Sequence, residues 1–283
     1  VKARNPGENL FEYAPEQIAE VFVRIRSRNY LVHMIPNTVS APLCADGLAA
    51  LGARPLMAVA AEEMAEIVSQ ADGCVINLGQ MTKEKQKAAR IVLKQAAEAG
   101  RPLVLDPVGC GASRFRMQAV QQLLALPWQG ILKGNRSELY SIQQQKLTRE
   151  GIDSLEERSL LHQIPPGRVY LVTGETDEIL WKDKMIQIPH RAASHWNMVG
   201  TGCLAGAVTG ACCCAAGEMC RESMGKISLE SLKLAAVSAA LGMAFALEQA
   251  GAAEGYGTAK SALLNALGQL SAKHFSDWLQ TLK

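Results

Sequence analysis

The alternation of short apolar runs with helical patterns constrains this chain more than any other feature. The runs at 56–60 (LMAVA), 74–79 (CVINLG), 102–107 (PLVLDP), 130–135 (GILKGN) and 168–174 (RVYLVTG) read as buried strands. Between them, 62–70 (EEMAEIVSQ), 82–100 and 115–126 (FRMQAVQQLLAL) read as helices. The second helix starts at Thr82, a capping residue type, and stops at Gly100. Such alternation predicts a largely parallel sheet with helices on both faces. Two further runs, 178–183 and 185–190, are split by a short polar turn and predict an antiparallel edge hairpin. The last third reads as helix over 202–217, 228–250 and 259–281. There is no repeat, and the polar stretch 143–166 is the longest linker. Residues 1–283 therefore read as one α/β domain, with 1–13 as a flexible N-terminal segment.

Composition narrows the function. A chain of 283 residues buries roughly 70–75% of its unfolded surface and needs no metal or disulfide staple. Lys and Arg number 29 against 27 Asp and Glu, a formal charge of +2, which offers no basic stripe for nucleic acid. Aromatic residues, at 5%, are too few for a base-stacking platform. The eight cysteines include no C-x-x-C pair, and Cys212, Cys213 and Cys214 point in three directions about a helix, so they cannot share one ion. Free thiols in this number and a polar N-terminal sequence lead to the expectation of a cytoplasmic protein. The run 192–217 has no Asp, Glu, Lys or Arg, and its Gly202-x-x-x-Gly206-x-x-x-Gly210 spacing is like a membrane packing motif. Its Gly, Ala and Cys content reads instead as a buried helix packed closely on the sheet, so no membrane partner is expected.

The residues that carry chemistry cluster where strands end, and ligands of open α/β sheets bind beyond those ends. Gly200-Thr201-Gly202-Cys203 opens a long helix. Glycines let backbone N–H groups approach an anion, the helix dipole favours it, and a helix N-terminus favours the thiolate of a cysteine placed there. The segment reads either as a phosphate cradle with Cys203 at its mouth or as a glycine-rich turn with Cys203 as a small packed side chain. Asp106 and Glu138, at adjacent strand ends, suit magnesium beside substrate phosphates; the alternative is that Asp106 fixes a turn and Glu138 caps its helix. Lys133 and Thr173 suit nucleotide phosphates, or are a solvated strand-end lysine and a turn threonine. His33 and Asn37 lie among apolar residues and suit a small substrate, or are a satisfied buried histidine and a helix N-cap. Met57 reads as core or as a ligand contact. No G-x-x-x-x-G-K-[ST] or G-x-S-x-G motif is present.

In order along the chain stand Val32-His33-x-Ile35-x-Asn37, Ala45-x-Gly47-Leu48-x-Ala50-Leu51-Gly52-Ala53-x-Pro55-x-Met57, Asn77-x-Gly79, Leu105-Asp106-Pro107-Val108-Gly109, Lys133-Gly134-Asn135-x-x-Glu138, Gly151-Ile152-Asp153-Ser154, Val172-Thr173-Gly174-Glu175-x-Asp177 and Gly200-Thr201-Gly202-Cys203. Eight segments in this order resemble the hydroxyethylthiazole kinases of the ribokinase-like superfamily, from about Arg24 to Gln269. The resemblance implies a ribokinase-like three-layer α/β/α sandwich. It implies ATP-dependent phosphorylation of hydroxyethylthiazole in thiamine salvage, with Mg2+. It places Asn37, Val39, Met57, Gly79 and Gly200 against the thiazole, and Lys133, Thr173, Gly200, Thr201 and Gly202 on ATP. Asp106 and Glu138 fall on magnesium, and Cys203 on the catalytic base position. A homotrimer with active sites at subunit interfaces is implied as well. This chain departs from the family pattern at Lys133 (commonly Arg), Gln80 and Pro36 (commonly Thr), Val199 (often a hydroxyl residue) and Gly255-Tyr256-Gly257-Thr258 (often Gly-Pro-Gly-Ser). The competing expectations are the related hydroxymethylpyrimidine kinase, a ribokinase-like dehydratase, whose Asp at the Cys203 position is missing here, and a nucleotide-binding regulator without turnover.

Overall fold

The structure, a computed structural model, describes residues 13–145, 147, 164–189, 197–224 and 227–282. Its strands are β1 (Leu31–Ile35), β2 (Arg54–Leu56), β3 (Gly73–Asn77), β4 (Leu103–Asp106), β5 (Gly130–Asn135), β6 (Arg168–Thr173), β7 (Thr176–Trp181) and β8 (Lys184–Pro189). They form one sheet in the order β2-β1-β3-β4-β5-β6-β7-β8. The pairs from β2 to β6 are parallel, and β7 and β8 add antiparallel at one edge. Alternate strand residues face opposite cores: Val75, Val104 and Ile131 one way, Cys74, Ile76 and Leu105 the other. Because both faces are covered, the central strands are apolar at almost every position.

The second face is covered by α3 (Met64–Gln70), α4 (Lys83–Glu98), α5 (Arg114–Leu124) and α6 (Arg136–Gln144). Thr82 caps α4 as expected, its hydroxyl accepting the Lys85 N–H at 3.0 Å. On the first face lie α1 (Pro15–Arg28), α2 (Ala41–Leu51), α7 (Thr201–Met224), α8 (Leu229–Gly251), α9 (Tyr256–Gly268) and α10 (Lys273–Gln280). The result is the three-layer α/β/α sandwich that the alternation predicts.

The glycine spacing of α7 is explained by the sheet beneath it. A Cβ on Gly202 would lie 3.4 Å from Lys133 Nζ, one on Gly206 3.3 Å from Asp106 Oδ2, and one on Gly210 2.3 Å from Val75 Cγ2. The stripe thus crosses β5, β4 and β3 in turn, and the absent side chains let the helix settle directly on the strands. α7 over Thr201–Cys220 and α8 are long and apolar enough to cross a membrane by length and composition, but both are mostly buried inside the fold.

Several expectations are corrected. Of the run 56–60 only Leu56 is in a strand, because the chain leaves this edge of the sheet there and Val59 is half exposed. The helix expected over 259–281 is two, broken after Gly268 so that Phe275 and Leu279 of α10 fold back onto the core. Apart from the helix start weighed at Asn37, no element was expected over 14–51, where the structure has α1, β1 and α2. Tyr13, assigned to the flexible segment, is buried and its hydroxyl donates to a Glu230 carboxylate oxygen at 2.5 Å. Residues 1–12, most of the stretch 143–166, and with it Gly151-Ile152-Asp153-Ser154, lie outside the described residues.

Candidate active site

The C-terminal ends of the parallel strands form a rim, and α7 starts above it. Asn77 ends β3, Asp106 ends β4, Asn135 ends β5 and Thr173 ends β6. Asn37 stands just beyond β1, in the turn that leads into α2.

A pocket of about 340 Å³ opens on this rim, lined by Asn37, Val39, Ser40, Gly79, Gln80, Val108, Arg116, Val199, Gly200 and Cys203. The structure therefore brings Asn37, Val39, Gly79, Gly200 and Cys203 together. It does not bring Met57 to this pocket: Met57 is half-buried against the core just past β2. Thr173 lies on the same rim but outside the pocket lining, paired across the sheet with Asn135. Ser40, Val108 and Arg116 line the pocket without having been singled out from sequence. Arg116 follows its cap, Ser113, by three residues, a spacing any helix start offers, so no local signal marks it.

A buried polar chain runs inward from Cys203. The Asn37 amide donates to Cys203 Sγ at 3.2 Å and to Asn77 Oδ1 at 2.9 Å. Asn77 Nδ2 donates to Asp106 Oδ2 at 3.1 Å, which lies 3.6 Å from Lys133 Nζ. Asn37, Asn77, Asp106 and Lys133 are all buried. Asn37 Oδ1 accepts the Ser40 N–H at 3.0 Å, which braces the turn before α2, but the helix N-cap expected at Asn37 falls on Ser40 instead. Lys133 is not the solvated strand-end lysine of the bland alternative, since α7 covers it at Gly202.

Burial pushes the Asp106 carboxyl up to about 7; the Lys133 ammonium opposes this and the Glu138 charge adds to it. Burial works against the Lys133 ammonium too, but the charges of Asp106 and Glu138 outweigh it and raise its pKa. Asp106 Oδ1 is buried with no hydrogen-bond partner among the described residues. Glu138 is a helix cap: Oε2 accepts the Asn135 N–H at 2.9 Å, and Asn135 Oδ1 accepts the Glu138 N–H at 2.8 Å. Its Oε1 reaches across to the Gly109 N–H at 2.8 Å, tying the β4 and β5 loops together. Each Glu138 oxygen keeps a lone pair beyond these bonds.

His33 is fully buried, with Nε2 3.1 Å from the Ala58 carbonyl, and it does not line the pocket. Burial lowers its pKa, so it is held neutral. The buried-histidine alternative describes it in part: Nε2 has its partner, but Nδ1 is buried without one among the described residues.

Gly200 enters α7 at φ +93°, and a Cβ there would press on Ser40 Cβ at 3.1 Å, so only glycine fits. The first N–H to close is that of Leu204, on the Gly200 carbonyl at 2.8 Å. The N–H groups of Thr201, Gly202 and Cys203 thus stand free of intrahelical acceptors at the rim, beside the Lys133 ammonium, an arrangement that suits an anion.

A model of the hydroxyethylthiazole kinase family matches residues 22–273. The chain is 37% identical over 193 residues to a hydroxyethylthiazole kinase of Listeria monocytogenes serotype 4a, with 66% of this chain and 72% of that one covered. It is 35% identical over 260 residues to a hydroxyethylthiazole kinase of Exiguobacterium sp., with 89% and 94% covered. The solved structure of the hydroxyethylthiazole kinase protein from Pyrococcus horikoshii OT3 matches with a TM-score of 0.74 at 30% identity, covering 91% of this chain and 95% of that one. A ribokinase-like superfamily protein from Enterococcus faecalis V583 matches with a TM-score of 0.56 at 14% identity, over 94% and 99%, a likeness of fold alone.

Proposed function

The chain belongs to the hydroxyethylthiazole kinase family, and from that premise we propose that it moves the γ-phosphoryl group of ATP to the primary alcohol of 4-methyl-5-(2-hydroxyethyl)thiazole, salvaging the thiazole half of thiamine. The observation that carries this is the meeting of Cys203, the free N–H groups of α7 and a mostly apolar pocket at one point of the rim. A neutral heteroaromatic alcohol needs an apolar slot with a few polar contacts. Val39, Val108 and Val199 supply the slot, and Asn37 the amide.

In this reading the thiazole lies against Asn37, Val39, Gly79 and Gly200, with its hydroxyl toward Cys203. The alcohol oxygen forms a bond to the γ-phosphorus while the bond from that phosphorus to the ADP oxygen breaks. ADP leaves with the electron pair, and the Cys203 sulfur takes the alcohol proton as general base. The N–H groups of Thr201, Gly202 and Cys203 hold the γ-phosphoryl oxygens, and Lys133 and Thr173 hold the nucleotide phosphates. Asp106, with its unpartnered oxygen, and Glu138 fit a hard cation, and these residues would hold Mg2+. When bound, Mg2+ neutralises charge on the phosphate oxygens.

The same reading takes the enzyme as a cytoplasmic homotrimer with active sites at subunit interfaces. Val39 and Val199 are 63% and 66% exposed at the pocket, apolar surface that a neighbouring copy would cover. Met57 reaches the thiazole only if a neighbouring copy supplies it.

An ATP-consumption assay with hydroxyethylthiazole, a hydroxymethylpyrimidine and ribose in parallel tests the substrate. Turnover of the thiazole alone is expected, and equal turnover with ribose would overturn the assignment. A trimer is expected by light scattering; a fully active monomer would remove the interface site.

A further inference from the structure

Among the described residues, one charged side chain lines the acceptor pocket, Arg116, and a neutral alcohol gives it nothing to pair with. Arg116 is the third residue of α5, and its backbone N–H is held by Ser113 Oγ at 3.2 Å. Nη1 donates to the Val108 carbonyl at 3.2 Å, on the loop that leaves Asp106. No carboxylate lies within ion-pair distance of the guanidinium among the described residues. A guanidinium has five N–H donors in a fixed fork, so most of its capacity is unused.

A second cation stands behind the same wall. Lys85 Nζ donates to the carbonyls of Pro36 at 2.7 Å and Gly79 at 2.5 Å, clipping together the loops that carry Asn37 and Gln80. It too has no carboxylate partner among the described residues. Burial pushes the Lys85 amine down to about 8; Arg116 pushes the same way and Cys203 opposes. Arg116, Lys85 and Cys203 are thus electrostatic neighbours around one pocket. The carboxylates at the ends of β4 and β5, Asp106 and Glu138, are engaged by Asn77 and Lys133 and by the Asn135 and Gly109 N–H groups.

The charge that this pocket must hold arises only during reaction. The acceptor enters neutral, and the product leaves as a phosphate monoester dianion. We propose that Arg116 binds the transferred phosphoryl group on the acceptor side, so that the pocket distinguishes the phosphorylated product from the alcohol it accepted. The inference rests on the reading of this pocket as the alcohol site. Planar, bidentate contact with phosphate oxygens is what a guanidinium does better than an ammonium, and Lys85 adds positive potential from behind.

The alternative is that Arg116 only braces the loop at Val108. Calorimetric titration of the full chain separates the two, using hydroxyethylthiazole, its phosphate monoester and inorganic phosphate against wild type, Arg116→Lys, Arg116→Gln and Arg116→Met. Loss of a charge-assisted contact predicts that Arg116→Met weakens the monoester about 10–100-fold, with the neutral alcohol changed less than about threefold and Arg116→Lys recovering part of the loss. Equal losses for alcohol and monoester, or no loss for the monoester, would overturn the proposal. Arg116→Gln, which keeps the length and a donor for Val108, replaces Arg116→Met if the latter melts early. Should wild type phosphorylate the pyrimidine alcohol and not the thiazole, the substrate assignment falls, and the same comparison on that alcohol and its phosphate still decides Arg116. Inorganic phosphate needs no substrate assignment: its binding must also weaken in Arg116→Met, and unchanged binding refutes the proposal.

Discussion

α7 and α8 are 24 and 23 residues long, are alike in apolarity and lie side by side on one face of the sheet. α7 meets the sheet through Gly202, Gly206 and Gly210, so its backbone approaches Lys133, Asp106 and Val75. That close approach sets its N-terminus, with unclosed N–H groups and Cys203, over a buried carboxylate and a buried ammonium. α8 packs instead against the outer helices, and its Gly242 makes room for the Phe22 ring of α1, where a Cβ would lie 2.7 Å from Cζ. Its Phe245 joins Phe275 and Trp278 of α10, with ring centroids 5.4 Å apart in each pair, and Phe275 meets Phe22 of α1 at 5.2 Å. Equal hydrophobicity thus serves two ends: a small-residue face positions a site, and a large-residue face holds outer helices by area burial.

The sharpest separation comes from Cys203→Ala. The backbone cradle survives this change, so kcat is expected to fall about 10²–10⁴-fold, with ATP affinity and melting temperature little changed. Wild-type kinetics would make Cys203 a packing residue and erase the contrast with α8. Phe275→Ala is the mirror experiment. It empties a fully buried site and is expected to cost about 3–5 kcal/mol of stability in denaturant titration, while kcat per folded molecule stays the same.

Gly210→Ala tests whether glycine sets the approach of α7. Its methyl would meet Val75 Cγ2 at 2.3 Å, so about 1–3 kcal/mol of stability is expected to go. The pair Gly210→Ala with Val75→Ala should recover part of it, and an unperturbed single variant would mean that the stripe is incidental. The mildest effect concerns pH. Burial holds the Asp106 carboxyl up at about 7, so it is ionised above that pH and protonated below it. Proton and Mg2+ compete for the same oxygens, and lowering pH from 8 to 6 should raise the Mg2+ midpoint roughly tenfold. Asp106→Asn should abolish that pH dependence, and a pH-independent midpoint in wild type would take Asp106 out of the metal site.

Much of the sheet was legible because its signals are local. GILKGN at 130–135 is β5 to the residue, the edge hairpin is present with its first strand two residues earlier than expected and its turn at Lys182-Asp183, and Thr82 caps α4 because a hydroxyl and an N–H three residues later meet within one turn. Within the run without charges, residues 201–217 were legible as a buried helix from their small residues. The segment 14–51 was not, since α1 and α2 draw their stability from α7, α8 and α9, far away in sequence.

The layered α/β architecture, the family and the rim motifs are written in local signals, because strand period, helix caps and glycine punctuation act over a few residues. Tertiary structure alone decided that Lys133 is buried against Asp106, that Asn37 and Asn77 link Cys203 to that pair, that Arg116 enters the pocket and that Met57 stays outside it. Those facts depend on which strands lie side by side and how closely α7 sits upon them. The burial that shifts the Asp106 carboxyl exists only once β3, β4, β5 and α7 have closed around it.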